Sequence, residues 1–119
     1  MKKDLEKRTK KFSLDIIEFT ASLPRTREAD ILGRQLLRSG TSIGANYREA
    51  NRGVSRSDFA NKIGTVQKEA SETQYWLELF TESTVLKTPP TKLHGEASEL
   101  VAIFTAIGKT AKQNQRNKK

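Results

Sequence analysis

Apolar residues recur along most of the chain at alternating intervals of three and four positions, the spacing of one face of an α-helix. Four such stripes follow one another, and they predict helices over residues 4–22, 27–50, 57–84 and 90–112. Typical stripe positions are Leu36, Ser39 and Ile43 in the second helix and Ala70, Thr73 and Leu77 in the third. The period-two alternation of strands is absent from the sequence, so the chain is predicted to be all-α.

Residues that favour the start or the end of a helix lie between the stripes. Pro24 ends the first helix, because proline disfavours the helical conformation of the residue before it. Thr26 is predicted to cap the second helix, and Ser55 or Ser57 the third. Gly53 is predicted to close the second helix in a left-handed conformation, which glycine adopts without steric cost.

Long amphipathic helices joined by short connections favour an antiparallel up-down-up-down four-helix bundle. The prolines of segment 88–91 supply the last break. The length of 119 residues suits one domain with one core, so residues 1–119 are predicted to form a single domain. The polar tail, about 112–119, continues no apolar stripe and is expected to be frayed or disordered.

The middle of the second helix is rich in small residues, namely Ser39, Gly40, Ser42, Gly44 and Ala45. Each glycine inside a helix costs roughly 1 kcal/mol relative to alanine, so some compensating interaction is expected. We expect close packing of another helix or of a second subunit, in preference to a ligand that needs room.

The formal charge of +8 lies at the two ends of the chain, with +4 over residues 1–11 and +5 after Glu99, whereas residues 12–108 sum to −1. Basic residues crowd the first eleven positions and the segment after Glu99. Between residues 25 and 56 the basic side chains are all arginines, whose planar guanidinium groups suit phosphate and bidentate carboxylate partners. These arginines are interpreted either as a phosphate-binding surface or as partners in structural ion pairs.

The search for catalytic chemistry is negative. The sequence has no cysteine, one histidine (His94, expected at the surface), no phosphate-binding loop and no dinucleotide fingerprint. Glu49, Glu69 and Glu72 are expected to pair with Arg38, Arg48 or a core hydroxyl rather than to act as acids or bases. The protein is therefore predicted to be no enzyme and to hold no metal or cofactor. It has no apolar run long enough to span a membrane and is expected to be cytoplasmic.

Several motifs resemble the bacterial four helix bundle protein family, also called the 23S rRNA intervening-sequence protein family. The resemblance covers roughly residues 12–108. It is carried by Leu36-Leu-Arg38, Ser42-Ile43, Asn46-x-x-Glu49-Ala50, Arg52-Gly53, Ser55-x-x-Asp58-Phe59 and Lys68-Glu-Ala-Ser-Glu-Thr-Gln-Tyr-Trp-Leu77. Tyr47, Arg48 and Ala50 stand where the family usually has Ile, Ala and Gly.

The resemblance implies an antiparallel four-helix bundle that assembles as a ring-shaped homopentamer. A distant branch is similar to the accessory protein of diversity-generating retroelements, a basic pentameric barrel that binds nucleic acid and a reverse transcriptase. The family motif predicts a polar cluster formed by Ser42, Asn46, Glu49 and Glu72. Asn46 is expected to be partly buried and hydrogen-bonded, because a solvent-facing asparagine is a poor choice in mid-helix.

Two functional hypotheses follow. In the first, the oligomer binds RNA or DNA without sequence specificity, because no aromatic residue except Tyr47 lies near the arginines. The candidate contacts are Arg34, Arg38, Arg48, Arg52, Arg56, Lys112, Arg116, Lys118 and Lys119. In the second, the protein is an interaction scaffold or accessory subunit with no nucleic-acid role, and its arginines form structural pairs.

Overall fold

A computed structural model describes residues 2–116 of the chain and consists of four helices. They are α1 (Lys2–Ala21), α2 (Arg27–Asn51), α3 (Arg56–Glu82) and α4 (Thr91–Arg116). The helices form an antiparallel bundle about 53 Å long and 21 Å across in both other directions. The predicted all-α, up-down-up-down four-helix bundle is confirmed.

Hydroxyl caps begin two of the helices as the sequence predicts. The Thr26 side chain accepts a hydrogen bond from the Ala29 backbone N–H at 3.1 Å. Ser55, rather than Ser57, accepts one from the Asp58 N–H at 3.0 Å and so caps α3. Each cap satisfies a backbone donor that the first helical turn leaves unpaired.

The end of α2 differs from the prediction. No glycine among residues 2–116 has a positive φ, so Gly53 does not close the helix in the left-handed conformation. Its N–H instead donates to the Ala50 carbonyl at 3.2 Å, which continues the chain in a tight turn. A Cβ on Gly53 would lie 3.2 Å from both the Ala50 carbonyl oxygen and the Asp58 Cβ, so space rather than φ favours glycine here.

The prediction of a frayed tail is wrong for residues 112–116, which continue α4 to Arg116. Ala111 is buried, and the Gln115 amide donates to the Ser57 hydroxyl at 3.3 Å. These contacts attach the last turns of α4 to the start of α3. Residues 117–119, including the candidate contacts Lys118 and Lys119, lie outside the described part of the chain.

The core runs the length of the bundle. Its fully buried large side chains are Phe12, Ile16, Leu36, Ile43, Ile63, Val66, Leu77, Phe80, Leu100 and Phe104. Two edge-to-face ring pairs link helices across it: Phe19 with Phe80 at 5.5 Å and Tyr47 with Phe104 at 5.2 Å. Tyr47 is only 4% exposed, so its ring belongs to the core.

Three of the small residues of α2, namely Ser39, Gly40 and Gly44, pack against the neighbouring helices of the same chain, whereas Ala45 is exposed. A Cβ on Gly40 would lie 3.0 Å from Ile16 Cγ1, and one on Gly44 would lie 3.3 Å from the Thr9 carbonyl oxygen. On the other side of α2, the buried hydroxyls of Ser39 and Thr73 are hydrogen-bonded at 2.9 Å. Helix packing within one chain therefore explains these glycines, and a second subunit is not required to do so.

Contact between the helices is uneven. Each helix packs extensively on its neighbour in sequence, whereas α1 and α4 touch sparsely. Arg8 bridges these two helices, with Nε and Nη2 donating to the Glu96 carboxylate at 2.7 and 2.8 Å and Nη2 also to Glu99 at 2.8 Å. The hydrogen bonds with Glu96, and next with Glu99, raise the pKa of Arg8 above its usual range, so Arg8 keeps its charge at any physiological pH.

Candidate nucleic-acid interface

The antiparallel topology brings three parts of the chain to one end of the bundle. These are the start of α1, the connection between α2 and α3, and the end of α4. A groove at this end is lined by residues from all three, among them Lys2, Asn51, Arg56 and Asn114. The Asn51 amide also donates to the Glu6 carboxylate at 2.8 Å, which ties α2 to α1.

This end collects basic side chains that are far apart in sequence, and we call them the basic end. Its members are Lys2, Lys3, Lys7, Arg48, Arg52, Arg56, Lys109, Lys112 and Arg116, all of which are exposed. Among residues 2–116, Arg48, Arg52 and Arg56 form no ion pair with a carboxylate. Their charges are therefore available to an external anion.

Two of the predicted contacts do not belong to the basic end. Arg34 lies about 27 Å from Arg52 along α2, given a rise of 1.5 Å per residue, and forms an i,i+4 pair with Asp30 at 3.2 Å. Arg38 forms ion pairs with Glu69, at 3.3 Å, and with Glu72. The interpretation of Arg38 as a partner in a structural pair between α2 and α3 is thus supported.

The residues of the family motif do not form the single cluster that was predicted. Asn46 is partly buried and hydrogen-bonded as expected, but its amide donates to the Ser42 carbonyl of the same helix at 2.9 Å. Glu49 pairs with Lys62 at 2.8 Å. Glu72 lies with Arg38 and also accepts from the Trp76 indole N–H at 3.2 Å. The antiparallel register places Glu72 opposite Arg38 and Glu49 opposite Lys62, so these groups lie at different levels of the α2–α3 contact.

The buried polar contact between α2 and α3 is instead made by Ser39 and Thr73. Thr73→Val should lower the free energy of unfolding by about 1–3 kcal/mol, because it leaves the Ser39 hydroxyl buried without this partner. Asn46→Ala should change it by less than about 1 kcal/mol, because the Ser42 carbonyl already accepts a helical hydrogen bond and alanine favours helix. Urea unfolding followed by circular dichroism compares the two variants. Equal losses would contradict this assignment.

One polar atom near the basic end has no partner. Among the described residues, Asn51 Oδ1 is the one buried side-chain oxygen or nitrogen that lacks a hydrogen bond. Nothing in the sequence signals this, since the asparagine lies at an ordinary helix end.

No group of three His, Cys, Asp or Glu side chains within residues 2–116 is placed to hold a metal ion. In the same range, no helix has a stretch long and apolar enough to cross a membrane.

Comparison with known proteins finds a family profile and solved structures to which this chain is similar. A family profile described as 23S rRNA-intervening sequence protein matches residues 2–106. A crystal structure of a protein of unknown function from the S23 ribosomal protein family of Bacteroides thetaiotaomicron VPI-5482 is similar, at 34% identity and a TM-score of 0.81. The match covers 92% of this chain and 99% of that protein. Among curated proteins, none matches.

Proposed function

The chain belongs to the 23S rRNA-intervening sequence protein family, and we propose that it is a non-enzymatic member that binds RNA or DNA non-specifically through the basic end of its bundle. The family resemblance found in the sequence is thereby confirmed. Because the similar crystal structure is of a protein of unknown function, the proposal rests on the charges and contacts of this chain.

The observation that carries the proposal is the convergence of exposed, unpaired arginines with the cations of both termini. Elsewhere on the bundle, several basic side chains lie against carboxylates, as Arg8, Arg34 and Arg38 do. At the basic end, Arg48, Arg52 and Arg56 form no ion pair with a carboxylate of residues 2–116, and their repulsion from the neighbouring lysines is only partly offset by Glu49 and Asp58, which line a groove with Arg52. Phosphate groups would relieve this repulsion and release counterions from the nucleic acid.

The size of the basic end limits the number of phosphates contacted. It is about 21 Å across, and successive phosphates of one B-DNA strand lie about 3.4 Å apart along the axis, so roughly six of one strand fit. Base-specific contacts have no evident source, because Tyr47 is buried against Phe104 and cannot stack on a base. Binding should therefore depend on charge and little on sequence.

We propose further that the protein acts as a homo-oligomer, for which the family resemblance implies a ring-shaped pentamer. Repetition of the basic end around one ring would multiply the phosphate contacts of each assembly. Avidity of this kind strengthens binding without any new type of contact.

The scaffold hypothesis has one observation in its favour. Arg38 forms a structural ion pair with Glu69 and Glu72, as that hypothesis expects of the arginines in general. The scaffold hypothesis offers no role for Arg48, Arg52 and Arg56, which have no carboxylate partner within residues 2–116.

Nucleic-acid binding can be tested by a filter-binding titration of a generic RNA and a generic DNA at several salt concentrations. With roughly six phosphates neutralised, affinity should fall by about 10³ between 50 and 200 mM salt. The triple variant Arg48→Gln, Arg52→Gln, Arg56→Gln should bind more weakly and lower the salt slope by about one per arginine.

A matched variant controls for total charge. Arg25→Gln, Arg27→Gln and Lys87→Gln remove the same charge at the opposite end of the bundle, where α2 begins and α3 joins α4. This control should retain the salt slope of the parent protein. Equal weakening of binding by both triple variants would show that net charge alone matters. The proposed function would be refuted if the parent protein retained neither nucleic acid at about 0.15 M salt, where the Debye length is about 8 Å.

A further inference from the structure

The groove at the basic end has an apolar floor, which phosphate binding alone does not require. Its floor consists of the half-buried side chains Phe59 and Ile107 and the buried side chains Ala50 and Ala111. The volume of the groove is about 650 Å³, within the roughly 300–1,000 Å³ typical of sites that bind small molecules. The groove therefore suits a group that carries an apolar ring as well as a negative charge.

The rim of this groove is basic and polar. Lys2 and Arg56 are exposed there, and Asn114 adds a side-chain amide. None of the described residues that line the groove is acidic. The neighbouring groove between α2 and α3, by contrast, contains the carboxylates of Glu49 and Asp58. The groove with the apolar floor is thus the one of the two whose charge is complementary to an anionic ligand.

Phe59 places an aromatic ring next to one of the unpaired arginines. It follows Arg56 by three positions on α3, so the two side chains lie on the same side of the helix. Its ring packs partly against the core, which holds it in place. Tyr47, the aromatic residue expected near the arginines, is buried instead. Phe59 is therefore the side chain of the basic end on which a base can stack.

We propose that this groove binds an unpaired base of an RNA or DNA strand, which stacks on Phe59 while Arg56 binds an adjacent phosphate. The inference rests on the proposed function and names the class of strand that the basic end recognises, namely one with unpaired bases. The paired bases of a duplex are stacked on one another and do not enter the groove. An unpaired base adds its contact with the floor to the phosphate contacts that any strand makes.

Stacking of this kind leaves binding independent of sequence. Every base has a π-face, and one stacked base contributes a factor of roughly 5 to 150 in affinity. The Asn114 amide offers both hydrogen-bond donors and an acceptor, so it can pair with the edge of any base. The groove should therefore distinguish unpaired from paired bases without distinguishing one base from another.

An abasic strand separates stacking from charge, because it keeps every phosphate and lacks the bases. In fluorescence-anisotropy titrations of the full chain, a single-stranded oligonucleotide should bind roughly 5- to 150-fold more tightly than an abasic strand of equal length. Phe59→Leu should bring this ratio of affinities close to one, because leucine keeps an apolar side chain but removes the ring. The ratio compares two ligands on one protein, so a partly unfolded variant would weaken both affinities and leave the ratio unchanged.

Two further variants control for the position and the chemistry of the substitution. Phe19→Leu makes the same change at a phenylalanine that is also half-buried but packs on Phe80 near the opposite end of the bundle. It should keep the ratio of the parent protein. Phe59→Trp, which retains an aromatic ring at the floor of the groove, should keep or raise the ratio.

The possible failures are distinguishable. Equal affinity of the parent for the two strands, or an unchanged ratio in Phe59→Leu, would overturn the inference and leave binding through charge standing. A ratio close to one in Phe19→Leu as well would overturn the assignment to this groove. Equally effective competition by a free nucleoside monophosphate would overturn the strand as the occupant, in favour of a free nucleotide. No binding of either strand would refute the proposed function and this inference together.

Discussion

Phe104→Ala should lower the free energy of unfolding by about 3–5 kcal/mol, the cost typical of removing a fully buried aromatic side chain. Phe104 is 0% exposed and lies at the middle of α4, where its ring packs edge to face on Tyr47 of α2 at 5.2 Å. The substitution removes the transfer free energy of the ring and leaves a cavity between diagonal helices. Tyr47 also loses the ring against which it packs, so the cavity cannot close by a small shift of one residue.

Urea unfolding monitored by circular dichroism gives the size of this loss. Val54→Ala is the matched control, because Val54 is 94% exposed at the turn between α2 and α3 and should contribute almost nothing. A loss below about 1 kcal/mol for Phe104→Ala would mean that α4 does not pack as described.

Gly40→Leu should lower the free energy of unfolding by about 3 kcal/mol, at the upper end of the range for overpacking. Gly40 is buried, and even a Cβ there would lie 3.0 and 3.1 Å from the two γ carbons of Ile16. Ile16 is itself fully buried and β-branched, so it has no free space and few rotamers to adopt. Accommodation of leucine therefore requires α1 and α2 to move apart.

Gly64→Leu is the same substitution, but it is expected to raise the free energy of unfolding rather than to lower it. Gly64 lies in mid-α3, is exposed, and a Cβ there would meet nothing within 4 Å. Since leucine has a higher helix propensity than glycine, the free energy of unfolding should rise by up to about 1 kcal/mol. Thermal unfolding of both variants tests the pair, and a loss of stability for Gly64→Leu as large as for Gly40→Leu would contradict the packing described for α1 and α2.

The period of the apolar stripes was sufficient to predict the helices and the bundle, because helical period and short connections leave few alternative arrangements. Ser39 and Thr73 illustrate this. Both fall at core positions of their stripes, and both are fully buried and bonded to each other despite their hydroxyls. The caps at Thr26 and Ser55 were equally predictable, since the chemistry that satisfies a helix start is local in sequence.

Contacts between helices were less predictable. The sequence offered Glu49, Glu69 and Glu72 as possible partners of Arg38 and Arg48. Only the rotation of the helices about their axes decides that Arg38 meets Glu69 and Glu72, while Arg48 pairs with no carboxylate of residues 2–116. Arg8 and its partners Glu96 and Glu99 lie 88 and 91 positions apart in the sequence, and no local pattern predicts that they meet. The extension of α4 to Arg116 likewise depends on Gln115 meeting Ser57.

The candidate site was predictable in composition but not in arrangement. Arginine and lysine counts indicated phosphate binding, and the antiparallel order of the helices then divided the candidates. Arg48, Arg52 and Arg56 join the cations of the termini, whereas Arg34 and Arg38 lie farther along α2. The net charge can be counted from the sequence, but the order and direction of the helices decide which charged side chains share a surface.

The sparse contact between α1 and α4 bears on how the chain reaches its fold. Each helix packs chiefly on its neighbour in sequence, so most contacts between helices, apart from the two diagonal ring pairs, join segments that follow one another along the chain. Such low contact order favours rapid folding, because little loop entropy is lost before contacts begin to stabilise the structure. The helices can therefore pair successively as they leave the ribosome, with the Arg8 bridge to Glu96 and Glu99 closing last, once the C-terminal helix has been made.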